Sequence, residues 1–70
     1  MKDVKIRDEF IKLEQALKLC GEFSSGSDAK YAVLNGEVQV NGETALQRGK
    51  KLHPGDTFAV NGHDYGITGA

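Results

Sequence analysis

Arg48-Gly49-Lys50-Lys51 places three of the chain's nine basic residues in four positions, with no acid among them. Such a loop suits phosphate oxygens, to which Lys and Arg give charge-assisted hydrogen bonds. Gly49 keeps the loop thin, so its backbone can approach a ligand closely. Lys30 offers a second point. It sits in the first half of a predicted helix, where the helix dipole slightly disfavours a cation. Lys18 lies on the polar face of an earlier predicted helix, and Lys12 just before that helix can share its side. Gln47 and Ser27 add uncharged polar groups that could hydrogen-bond the same ligand. The plain alternative is an ordinary solvated loop.

Other chemistries fit less well. Gly21 to Gly26 has the glycine spacing that opens a P-loop, but Ser27 stands where the lysine belongs and Asp28 would repel a phosphate. The preceding element reads as a helix rather than a strand. A capped helix start explains the stretch, leaving the amides of Gly26 and Ser27 free to meet one phosphate of a larger ligand. Cys20, His53 and His63 are the only soft or imidazole ligands, and none shows C-x-x-C or H-x-x-x-H spacing. No metal or cofactor is expected, and both histidines read as exposed turn residues. Asp56, within Pro54-Gly55-Asp56, suits a turn-amide acceptor better than a general base. No nucleophile–base pair stands out, and a small chain encloses little, so no enzymatic activity is expected.

Composition bounds these readings. Seventy residues allow one domain with one small core. At 39% hydrophobic, the chain is too apolar for a disordered tail and too polar for a membrane protein. The first ten residues lack a signal-peptide core, and one cysteine cannot form an internal disulfide, which fits a cytoplasmic location. A net charge of −1 argues against coating nucleic acid through bulk charge. It leaves a local patch open, because screening confines each charge to roughly 8–10 Å.

The elements that must position these residues are legible in order. Val4 to Arg7 alternates as a strand, and Phe10 to Lys12 can resume an extended segment. Leu13, Ala16, Leu17 and Cys20 repeat at helical spacing, with Gly21 as the stop and Cys20 on the core side. Phe23 is expected to plug the gap to a second helix, Gly26–Leu34, which Ser25 caps with Asp28 following. Asn35-Gly36 ends that helix. Glu37 to Val40 alternates as a strand, and Asn41-Gly42 turns it back through Glu43 to Ala45. Leu46 and Leu52 read as core anchors flanking the basic loop. Pro54-Gly55 suits a turn. Thr57–Val60 and Asp64–Thr68 form a second hairpin about Asn61-Gly62, with Phe58, Val60, Tyr65 and Ile67 inward. Gly69 and Ala70 are expected to fray. Two helices and several short strands make an α+β domain spanning residues 1–70.

The ordered series Leu13-x-x-x-Leu17-x-x-x-Gly21, Ser25, Ala29-Lys30, Val33, Gly36-x-Val38-x-Val40-Asn41-Gly42 and Gly55-Asp56 resembles the S-four RNA-binding domain, the αL motif. The likeness covers a motif core of residues 13–60. The Ala16–Gly21 helix end and the Arg48–Leu52 loop resemble the free-standing bacterial subgroup of the YbcJ/YaaA type. The resemblance implies two short antiparallel helices on a small antiparallel β-sheet, with RNA bound across the helices and the neighbouring loop. Many relatives carry Ser-Arg where this chain has Ser25-Gly26, so Arg48, Lys50 and Lys51 would have to compensate for one basic contact.

The resulting expectation is a monomeric, non-catalytic protein that binds structured RNA, ribosomal or transfer, or ribosomal particles. Lys30, Arg48, Lys50 and Lys51 would lead, with Lys12, Lys18, Gln47 and Ser27 in support. Tyr31 is the one candidate for stacking a base, against a half-buried structural position. Little single-strand stacking is expected. The competing readings are a protein-interaction module without RNA contact and the detached recognition domain of an enzyme.

Overall fold

The computed structural model of the chain describes residues 1–69. Its elements are β1 (Lys2–Ile6), β2 (Ile11–Lys12), α1 (Leu13–Leu19), α2 (Gly26–Leu34), β3 (Val38–Val40), β4 (Glu43–Thr44), β5 (Lys51–Leu52), β6 (Thr57–Val60) and β7 (His63–Gly69). The α+β architecture is the expected one. Five strands form one sheet in the order β1-β7-β6-β3-β4, and β2 pairs with β5 in a separate ribbon.

Local chemistry builds the hairpins. Asn41 and Gly42 both take positive φ, 51° and 85°, as do Asn61 and Gly62 at 54° and 78°. Two consecutive left-handed residues make the turn whose twist matches the strands it joins. Each pair closes a two-residue loop, Val40 opposite Glu43 and Val60 opposite His63. The Pro54-Gly55 turn closes through the Asp56 amide donating to the His53 carbonyl at 2.9 Å. The Asp56 carboxylate accepts the His53 amide at 2.7 Å and the Asn41 amide group at 3.2 Å, joining that turn to the first hairpin. The His53 amide, chiefly, holds the Asp56 carboxyl below the usual carboxylate range.

Alternation turns one sheet face inward. Val38, Val40, Phe58, Val60, Tyr65 and Ile67 are buried there with Val4 and Ile6. Leu13, Ala16 and Leu17 of α1 and Ala29, Ala32 and Val33 of α2 close the core from the helix side. Phe58 and Tyr65 stack with ring centroids 5.1 Å apart. Phe23 packs against this core from the helix connector, as expected. Cys20 is half-buried at its margin, its thiol donating to the Leu17 carbonyl.

Four features depart from the sequence reading. β1 runs parallel to β7, so the sheet is mixed rather than wholly antiparallel. Gly69 pairs with Ile6 at the end of that ladder instead of fraying, while Ala70 lies outside the described residues. Lys51 and Leu52 form a strand, β5, rather than the end of a loop. Leu46 is 62% exposed and is no core anchor. The Ala45 amide donates to the Val38 carbonyl and Ala45 takes the inward position, so Leu46 follows it outward. Leu52 alone, fully buried, holds the segment down.

Candidate nucleic-acid interface

The basic loop is fixed at both ends. Leu52 sits in the core opposite Ile11, which brings Lys51 directly across from Lys12. α1 has no side-chain N-cap. The amides of Leu13 and Glu14 instead donate to the carbonyls of Lys50, at 2.8 Å, and Arg48, at 3.0 Å. Helix starts need acceptors for their free N–H groups, and here the loop backbone supplies them. The Lys50 amide also closes a turn onto the Gln47 carbonyl at 3.2 Å. The loop is thus part of the helix start, not a free tether.

Its side chains point the other way. Lys12, Gln47, Arg48, Lys50 and Lys51 are all exposed. Among the described residues, none of the basic side chains lies within 4.0 Å of a carboxylate oxygen; both ion pairs there involve histidine. Like charges directly across a ladder are unfavourable, so the Lys12–Lys51 pairing works against the ribbon it belongs to. Lys51 Nζ rests 4.8 Å from the centre of the Phe10 ring, and His53 lies beyond it with ring centroids 6.1 Å apart. Two acids lie on this side: Glu43 shares a shallow hollow with Gln47 and Lys50, and Glu14 stands at the helix start that the loop caps.

A second basic group lies at the other end of α1. Lys18 folds toward the start of α2, its Cδ and Nζ each 3.9 Å from where a Cβ on Gly26 would stand. Lys30 follows Gly26 by four residues and so shares its side of the helix. Ser27 is exposed in the first turn and is not the cap. Ser25 caps, accepting the Asp28 amide at 3.3 Å, while the Asp28 carboxylate accepts the Ser24 hydroxyl at 3.2 Å. The two groups are not in contact. α1 links them, with Glu14 at the loop and Lys18 about 6 Å further along the axis.

A scan against protein families matches the S4 domain over residues 4–68. The chain belongs to the S4 domain family. It is 41% identical over 59 residues to a Bacillus subtilis protein described as a probable ribosome maturation protein, RlbA, covering 84% of this chain and 83% of that one. Its fold also matches the 30S ribosomal protein S4e from Thermoplasma acidophilum, with a TM-score of 0.65 and 23% identity. That match covers 86% of this chain but only 32% of the ribosomal protein.

This S4 domain holds one cluster that the sequence did not announce. The Glu22 carboxylate, in the connector between α1 and α2, accepts the Tyr65 hydroxyl and the Asn61 amide group at 3.2 Å, and lies 2.8 Å from His63 Nδ1. The Tyr65 hydroxyl, then His63 and Asn61, hold the Glu22 carboxyl at about 2. The same bond pushes the Tyr65 hydroxyl above its ordinary value, and burial raises the Cys20 thiol. The cluster ties the helix connector to the β6–β7 hairpin and engages one acid at the surface. His63, expected as a plain turn residue, is exposed yet engaged there. No local pattern could reveal it, because Glu22 and its partners lie about 40 residues apart.

Proposed function

We propose that this S4 domain is a non-catalytic RNA-binding protein acting on ribosome-related RNA in the cytoplasm. Its ligand is a structured ribosomal or transfer RNA, free or within a ribosomal particle, bound by a monomer. Lys12, Arg48, Lys50 and Lys51 form the principal phosphate-binding group. Lys18 and Lys30 form a second, with Gln47 and Ser27 reaching ribose hydroxyls. Family membership and the ribosome maturation relative support a ribosome-related RNA role. The observation that carries the assignment to the loop is the Lys12–Lys51 pair: like charges face each other across the ribbon, and a polyanion across them would relieve that cost.

The test is binding to purified ribosomal RNA and ribosomal subunits across a salt series. Four phosphate contacts give a log–log slope of roughly −3 to −4. Absence of binding, or a flat salt response, overturns the proposal. A flat response with retained binding to subunits would instead favour the protein-interaction reading, which the exposure of Leu46 at 62% supports.

A further inference from the structure

Tyr31 stands apart from the other aromatic side chains. Phe58 and Tyr65 stack within the core, Phe23 packs against it, and Phe10 lies against Lys51 and His53. Tyr31 is 61% exposed in the middle of α2, and it makes no aromatic or cation–π contact among the described residues. Its hydroxyl has no hydrogen-bond partner among the described residues. Leu34, three residues on and 54% exposed, extends the same outward strip. Lys30 flanks it on the side of the helix that Gly26 shares.

Resting on the RNA-binding reading above, we infer that Tyr31 is a stacking platform for one unpaired base of the bound RNA, with Lys30 holding the adjoining phosphate. Two features favour a nucleotide over a protein partner. Tyr31 and Leu34 together expose on the order of 200 Å², well below the roughly 800 Å² per partner of a stable protein interface. One base covers such an area. One cation, Lys30, adjoins the strip, and it has no carboxylate partner among the described residues; Asp28, one turn before Tyr31, already accepts the Ser24 hydroxyl. A base brings its own phosphate, so one nucleotide satisfies ring and cation together. The consequence is a preference for structured RNA that offers an unpaired nucleotide beside its helix, over continuous duplex.

The experiment compares an RNA hairpin, with 2-aminopurine placed at each loop position in turn, against a fully paired duplex of equal length. The unchanged protein is expected to bind the hairpin more tightly and to alter the fluorescence of at least one loop probe. Tyr31→Phe should retain both effects. Tyr31→Ala and Tyr31→Leu should each weaken hairpin binding by roughly 5- to 150-fold, the measured range for one stacked base, and leave duplex binding unchanged. All three side chains are tolerated at an exposed helix position, which circular dichroism verifies. Equal binding of hairpin and duplex by the unchanged protein overturns the stacking inference while the RNA-binding reading stands. So does wild-type behaviour of Tyr31→Leu, which would reduce the contact to generic apolar cover. Failure of the unchanged protein to bind either RNA overturns the RNA-binding reading itself, and the inference with it.

Discussion

Reversing Lys50 and Lys51 together should separate binding from folding. Both side chains are exposed and free of carboxylate partners among the described residues, and only the Lys50 backbone serves α1. Lys51→Glu gives up the contact with Phe10, worth about 0.5–1 kcal/mol at an exposed site. It also converts the Lys12 cross-strand pair from like to opposite charges, a gain of about 0.2–1 kcal/mol. The two nearly cancel, so the unfolding midpoint in urea should stay within about 0.5 kcal/mol of the parent, the usual range for surface changes. Binding should respond very differently. Two charge-assisted bonds at about 1.5 kcal/mol each amount to a loss of roughly 100-fold in affinity. The salt slope should fall from roughly −3 to −4 to about −1.5 to −2, because each phosphate contact contributes about 0.7–0.9. Fluorescence anisotropy with labelled ribosomal RNA, at several salt concentrations, reads both quantities. Unchanged affinity in a folded double variant would refute the assignment of the loop. A large loss of stability would refute the view that these side chains make little net contribution to the ribbon.

Three further predictions follow from other parts of the molecule. Gly26→Arg adds a cation where Lys18 leaves ordinary van der Waals room; RNA affinity should rise and the salt slope should steepen by about 0.7–0.9, and an unaltered slope would exclude this face from the interface. Glu22 is held at about 2 against an ordinary 4.5, so its stabilising effect is complete above pH 4.5 and is lost as pH falls through 2; Glu22→Gln should be less stable than the parent at neutral pH and should flatten the acid limb of melting temperature against pH, whereas parallel acid limbs would contradict the cluster. Leu52→Ala empties a fully buried site under β5 and should cost about 2–5 kcal/mol in urea denaturation, with binding lost in step as the loop comes away from α1.

Where the folding signal is local, the sequence displays it. Ser25 caps α2 as its type and position suggest, and the two Asn-Gly pairs turn their hairpins because those residues tolerate positive φ. Asp56 accepts a turn amide, as its place after Pro-Gly implies. Helical and strand periodicity identify most of the core. The misses share one cause, which is partnership across distance. A parallel β1–β7 ladder, a two-residue ribbon and the Glu22 cluster leave no periodic trace, since each is decided by what packing brings alongside. Leu46 misled for a related reason: hydrophobicity marks a candidate for burial, but strand register decided between it and Ala45. For the interface, residue types marked the cations. The Lys12–Lys51 juxtaposition and the exposure of Tyr31 needed the fold.

The parallel pairing of β1 with β7 has a consequence for how the chain is made. Lys2 lies opposite Tyr65, a separation of 63 residues, so β1 has no sheet neighbour until β7 has been synthesised. The β3–β4 hairpin can form from local contacts, but β1 would wait as an unpaired segment while the chain emerges. Closing so long a loop slows folding more than it weakens the product. During that interval Val4 and Ile6, which end in the core, are open to other strands or to chaperones. The lysines at positions 2 and 5 of that strand then act before the native state exists, discouraging edge-to-edge association of nascent chains.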